Sequence, residues 1–183
     1  LAAKKAEKTA SLNNAIEYTE KRIKSIERMP QADEVEKMRI DVRTTLGLYL
    51  AQLNQFNKAS KVVYPIFDIA VANDYKKRLS QLHTVLGVCD HFVGEDYDAS
   101  KNHLEEAISI SEKVGDLLSF VLGNYWIACL YAWNGEFEES YLHFSKALKL
   151  SEAGNIALGI VGTKSTVAIT YYWNGEIDSA YKV

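Results

Sequence analysis

Residues 131–136, Tyr131-Ala132-Trp133-Asn134-Gly135-Glu136, return almost unchanged as Tyr171-Tyr172-Trp173-Asn174-Gly175-Glu176, forty residues further along the chain. A hexamer restated at that distance marks a repeat architecture, in which each copy places the same side chains in the same surroundings. A step of similar length back from Gly135 reaches Gly94, in His91-Phe92-Val93-Gly94-Glu95-Asp96, and another reaches Asn54, in Gln52-Leu53-Asn54-Gln55-Phe56. Asn and Gly accept the left-handed backbone conformation. Asn54, Gly94, Gly135 and Gly175, at intervals of 40, 41 and 40 residues, are therefore expected to be turns between antiparallel helices.

Apolar residues at helical spacing flank each turn. The second helix of each pair opens on an aromatic or aliphatic anchor, Phe56, Tyr97, Phe137 or Ile177, and Asn73, Gly115 and Gly154 are expected as its C-caps. The spacing predicts an N-terminal helix near 4–29, a break at Pro30, and helix pairs near 33–53/57–72, 75–93/96–113, 116–134/136–152 and 155–174/176–183. Residues 1–31 form the first unit, a cap or the remnant of an upstream repeat, and 32–183 hold about four repeats (32–73, 74–115, 116–154 and a truncated 155–183). Pro65 falls inside a predicted helix, where it removes a backbone donor and is expected to kink or break it.

The chain has 183 residues, formal net charge -3, 48% hydrophobic and 25% charged residues, and two prolines, a balance that suits a folded all-α chain. No apolar run approaches the ~20 residues needed to cross a bilayer, so no membrane segment is expected. A start at Leu1-Ala2-Ala3-Lys4-Lys5 and an end inside a helical pattern suggest a piece of something longer. Cys89 and Cys129 stand far apart in no CxxC pair, which fits a reducing cytoplasm and offers no metal site. From Gly94 onward six lysines face thirteen Asp and Glu, and no arginine follows Arg78. Nucleic-acid partners need a basic stripe to neutralise phosphates, and this segment carries the opposite sign.

Close helix crossings require small residues, and the sequence supplies Gly47 with Ala59, Gly87 with Ser100 and Ala107, Ala128 with Ser140 and Ala147, and Ala168 with Ala180. The pairs Leu46-Gly47, Leu86-Gly87, Ile127-Ala128 and Val167-Ala168, each followed by small residues in the next helix, resemble the tetratricopeptide repeat over roughly residues 40–183. The tryptophan usual near the start of the first helix and the proline usual at the close of each unit are both absent here. The forty-residue period is similar to that of repeat arrays in bacterial multidomain signalling proteins and some eukaryotic scaffolds.

The resemblance implies a right-handed α-solenoid of stacked antiparallel helix pairs, whose first helices line a concave groove that binds a protein or peptide. It places Gln52, His91, Phe92, Tyr125, Cys129 and Trp133 in that groove, followed by Ser165, Ile169, Tyr172 and Trp173, with Thr44, Leu48, Thr84 and Val88 beside them. The groove is then aromatic and lacks the Lys, Arg and Asn set with which carboxylate-clamp members hold acidic peptide tails. By family analogy, partners include other domains of the parent chain, such as an ATPase, nucleotide cyclase or DNA-binding module. Trp133 and Trp173 admit two readings, as ligand anchors or as tryptophans that pack repeat on repeat.

His103 and His143 recur at equivalent places in successive second helices and are expected as surface imidazoles. His83 and His91 lie eight apart, not at the i, i+4 spacing of a zinc helix, and are assigned no metal. No GxGxxG, GxxxxGK[ST] or GxSxG pattern stands in context, so neither catalysis nor a cofactor is expected. Alternatives to a peptide-binding scaffold are a small-ligand or signal-peptide sensor controlling an attached output domain, and a self-association module acting through the truncated last pair.

Overall fold

A short polar run around Pro30 separates the first helix from eight more, which alternate direction through tight turns. The computed structural model describes residues 12–183, and every regular element among them is a helix. We number them α1 (Leu12–Ile26), α2 (Asp33–Gln52), α3 (Phe56–Ala72), α4 (Lys76–Cys89), α5 (Tyr97–Val114), α6 (Leu117–Trp133), α7 (Phe137–Ala153), α8 (Ala157–Trp173) and α9 (Ile177–Ala180). A π-helical turn, Asp90–Gly94, continues α4. Boundaries match the predicted pairs to within a few residues; the part of the N-terminal helix expected before residue 12 lies outside the described residues.

Each helix end shows why those turn residues are needed. Six of the seven inter-helix turns from α2 onward carry the same bond, an N–H reaching back five residues to a carbonyl of the last helical turn. Gln55 donates to Leu50 at 2.8 Å, Glu136 to Tyr131 at 2.9 Å and Glu176 to Tyr171 at 2.8 Å. That bond forces one residue into the left-handed region, which Asn54 (φ 55°), Gly135 (φ 81°) and Gly175 (φ 79°) supply.

In the second repeat the expectation fails by one residue. Glu95 (φ 53°), not Gly94, is left-handed, and Asp96 N–H reaches six residues back to the Asp90 carbonyl at 3.0 Å. The π turn inserts the extra residue there. At the second-helix ends Asn73, Gly115 and Gly154 are the C-caps, as expected; Gly115 (φ 68°) is itself left-handed, whereas after Asn73 and Gly154 the next residues, Asp74 and Asn155, take that conformation. Asp and Asn tolerate it because their short side chains bond locally.

Within every repeat one polar contact ties the first helix to the returning chain at the same level, to the second helix in the first three repeats and to Val183, just beyond α9, in the last. Arg43 Nη1 donates to the Val62 carbonyl at 3.5 Å; His83 and His103 meet through their Nδ1 atoms at 2.8 Å. His143 Nδ1 meets Asn124 Oδ1 at 2.9 Å, and Lys164 Nζ donates to the Val183 carbonyl at 3.5 Å. These partners are 19, 20, 19 and 19 residues apart, so the extra residue of the second repeat appears again. A periodic contact with one local defect is strong evidence that the four pairs are copies in a single register.

Successive first helices α2, α4, α6 and α8 touch one another as well as their own partners, forming one layer of the stack. The core lies between the layers. Ile40, Leu46, Val63, Leu82 and Leu86 are buried in its N-terminal part, and Val88, Leu104, Ile127 and Leu130 continue it. Each repeat therefore relies on its neighbours for burial, and stability accumulates along the stack.

Small residues sit where the crossings are closest, although one partner differs from the expected one. A Cβ on Gly47 would come within 2.4 Å of Val63 Cγ1, so Gly47 meets Val63 rather than Ala59. A Cβ on Gly87 would come within 2.7 Å of Leu104 Cγ and 3.0 Å of the Ser100 carbonyl. Ala59, Ser100, Ala128, Ser140 and Ala147 are fully buried. Pro65 does not break α3, which runs unbroken from Phe56 to Ala72. Its ring faces solvent, while Val63, Ile66 and Ala70 anchor the helix to the core on the opposite side. At the N-terminal end α1 covers α2 through Ala15 against Tyr49 and through Ile26 against Val35 and Val42.

Candidate functional site

The π turn decides how the aromatic side chains at the ends of α4 and α6 meet. By widening the end of α4 it presents His91 and Phe92 toward the neighbouring repeat, where they meet the end of α6. The His91 ring lies parallel to Trp133, centroids 4.8 Å apart and planes within 8°, and Phe92 meets Trp133 edge-on at 4.9 Å. Phe92 also stacks on Phe56 at 4.3 Å, and Phe56 touches Trp126 edge-on at 6.5 Å. Trp126, two turns before Trp133 on α6, closes the ring of contacts at 6.4 Å. Three repeats thus contribute to one aromatic cluster. Trp133 is 38% exposed and Phe92 43% exposed, too open to be core alone.

Two hollows flank the cluster. One, shallow and apolar, runs across the first helices and is lined by Leu48, Gln52, Thr84, Val88, Leu122 and Trp126. The other, about 220 Å³, lies at the rim beside the π turn and is lined by His91, Glu95, Tyr97, Trp133 and Asn134. Tyr97 donates its hydroxyl to Glu136, which also accepts from Asn134 Nδ2 at 2.5 Å; the Tyr97 bond holds the Glu136 carboxyl below its ordinary range. Burial lowers the His91 pKa, favouring the neutral imidazole.

The residues expected in the groove therefore divide. Gln52, His91, Phe92 and Trp133 come together around the cluster and its hollows. Cys129 does not belong to the surface: it is buried beside Ala128 and Phe144, and burial pushes its thiol up to about 12. Thr44 and Thr84 are also buried, their hydroxyls bonded to Ile40 and Ser80 carbonyls, though Thr84 floors the shallow hollow. Tyr125 packs between repeats, its ring against Phe144 and its hydroxyl 3.0 Å from Thr166 Oγ1. Ser165, Ile169, Tyr172 and Trp173 are exposed on the last repeat, and the aromatic contacts of Trp133 run to His91, Phe92 and Trp126 rather than on to Trp173. Trp126, Leu122 and Phe56 were missed. The spacing of seven between Trp126 and Trp133, two turns on one helix face, is the signal that points to the first of them.

His103 is not a surface imidazole. It pairs with half-buried His83, places Nε2 3.6 Å from Asp90 Oδ2, and is covered with His83 by Phe67. Asp90 also accepts from the Tyr64 hydroxyl at 2.7 Å. His143, held by Asn124, is likewise half-buried, so the two equivalent histidines serve their own repeats and do not form a pair. Among the described residues no three His, Cys, Asp or Glu side chains converge as a metal site, and no helix is long and apolar enough to cross a membrane.

Solved structures give the same arrangement of helices. Aspartyl phosphate phosphatase F from Bacillus subtilis matches 92% of the chain at TM-score 0.72 and 16% identity, over 43% of its own length. The Rap conjugation gene regulator of plasmid pLS20, in complex with the Phr peptide, matches 99% at TM-score 0.74 and 18% identity, over 49% of its length. The chain has the tetratricopeptide-repeat fold. A signal-transduction ATPase from Pyrococcus horikoshii with a tetratricopeptide repeat sensor shares it, at TM-score 0.69 and 17% identity over 98% of this chain and 27% of that one. The chain spans less than half the length of each of these proteins. No family model and no curated protein matches the sequence.

Proposed function

We propose that this tetratricopeptide-type solenoid is a recognition module that binds a protein or peptide segment across its first helices, and that it performs no catalysis. The observation that carries the reading is the cluster of Phe56, His91, Phe92, Trp126 and Trp133, assembled from three repeats and left partly exposed beside an apolar hollow. Trp is among the side chains that most often dominate binding energy, and concave sites lined by aromatic rings are the usual places for ligands. Two of the structural neighbours support the same reading, one captured with a peptide and one described as carrying a repeat sensor. A place in a larger cytoplasmic bacterial signalling protein, attached to an output domain, extends that analogy.

Peptides selected from a random display library on the 183-residue chain supply the test. Trp133→Ala should weaken the selected peptides by ~30-fold, about 2 kcal/mol, in fluorescence anisotropy while circular dichroism stays unchanged. Undiminished affinity would remove the cluster from the binding site. A second reading, self-association, is favoured by the last repeat, where Val161, Ile169, Tyr172 and Trp173 are all exposed. Sedimentation that rises with concentration, and falls back in Tyr172→Glu, would establish it.

A further inference from the structure

We infer that the rim hollow beside the π turn is a subsite for a basic side chain, the guanidinium or ammonium of an arginine or lysine on the bound partner. This rests on the peptide-binding reading above and specifies the partner's chemistry. Three rings, His91, Tyr97 and Trp133, and two side chains with carbonyl or carboxylate oxygens, Glu95 and Asn134, line the hollow. No lysine or arginine is among them. Such a space attracts a cation, because ring faces are electron-rich and a carboxylate supplies the countercharge.

Glu95 is the anion that remains available. The neighbouring carboxylate, Glu136, is already engaged by Tyr97 and Asn134, whereas Glu95 is exposed and has no ion-pair partner among the described residues. Lys101 is turned elsewhere, its Nζ 5.4 Å from the centre of the Tyr131 ring. The backbone at Glu95 points the same way. The corresponding left-handed positions hold Asn54, Gly135 and Gly175, residues suited to that conformation; the second repeat alone among the four puts a glutamate there, at φ 53°. Strain retained where a glycine would remove it is a mark of a functional position. The π turn that creates this setting is also found in the second repeat and not in the other three. The hollow further adjoins the aromatic cluster through Trp133, so a basic side chain here can belong to the same segment whose apolar groups rest on Trp126 and Phe92.

The experiment uses the whole chain and a simple probe. Ethylguanidinium chloride is titrated while the indole N–H signals of Trp126 and Trp133 are followed by NMR, with ethylurea as the uncharged control. The expected result is a saturable shift of Trp133 with the cation, none with the urea, and a dissociation constant raised about fivefold in Glu95→Gln, the scale of one exposed cation–ring and carboxylate contact. An equal response to ethylurea, no response, or an unchanged constant in the variant overturns the subsite. Display-selected peptides separate this outcome from the broader reading. Peptides that depend on Trp133 but show no Lys or Arg enrichment, and tolerate Arg→citrulline, refute the subsite and leave peptide binding intact. Ethylguanidinium binding with no peptide ever selected upholds the hollow's cation preference and removes the peptide reading on which the partner was named.

Discussion

At the scale of the residue, one backbone position separates the second repeat from the others. Glu95 occupies a left-handed conformation that costs a residue with a Cβ ~1–2 kcal/mol, and glycine fills the same place at Gly135 and Gly175. Glu95→Gly should therefore raise the urea midpoint by the equivalent of about 1 kcal/mol, some of the gain being offset by the greater freedom of glycine in the unfolded chain. A lowered midpoint would show that the Glu95 side chain makes stabilising contacts. Small core residues respond in the opposite direction. Ala147 is fully buried at a helix crossing, and Ala147→Leu should cost ~1–3 kcal/mol by overpacking, seen as a lower Tm. The one-residue shift of the second repeat was already written in these small residues. Gly47 to Ala59, Ala128 to Ser140 and Ala168 to Ala180 each span 12 residues, but Gly87 to Ser100 spans 13. That extra residue is the π turn, and it moves the left-handed position from Gly94, which composition favours, to Glu95.

Among the helix pairs, the second and third carry the pH response, because the polar contact inside each of them is made by histidine. Burial, with His103 opposite, lowers the His83 pKa to about 4, and burial, with Lys146 near, lowers that of His143 to about 4. Both lie below the ordinary 6.5, so the folded state favours the neutral rings. The stabilisation is complete above about pH 6.5. It is lost as pH falls from there toward 4, where both rings must charge or the helices separate. The groups facing His83 and His103 are Asp90 from the end of α4 and Phe67 from α3, with Tyr64 bonded to Asp90. Tm should fall between pH 6.5 and 4.5, and the double variant His83→Gln, His143→Gln should flatten that fall; an identical pH profile would contradict the assignment. Helix limits were legible because turn chemistry and apolar period agree at each end. The histidine pairing was not, since a ring 20 residues away along the chain becomes a neighbour only once α4 and α5 are docked.

At the scale of the whole molecule, stability is graded along the stack. Residues of α4 and α6 are buried between neighbours on both sides, whereas α9 has no buried residue and α8 buries only Thr163 and Thr170 among its described side chains. Hydrogen exchange in the 183-residue chain should therefore proceed fastest in residues 157–180 and slowest in 79–89 and 121–132, because a segment with few buried side chains opens locally at little cost. Uniform exchange would mean that the four repeats unfold as one. The repeat, its period, the alternation of helices and the aromatic character of the exposed helix ends are legible along the chain, because they follow from local turn chemistry and from one-dimensional spacing. Docking of the helices buries Cys129 and joins Trp126 to Trp133. It likewise brings three repeats together around one cluster and leaves Glu95 unpaired beside a ring-lined hollow. Accessibility and pairing depend on which helices dock on one another, and the residue inserted at the π turn after α4 brings His91 and Phe92 against Trp133 across repeats, a contact that no single helix displays.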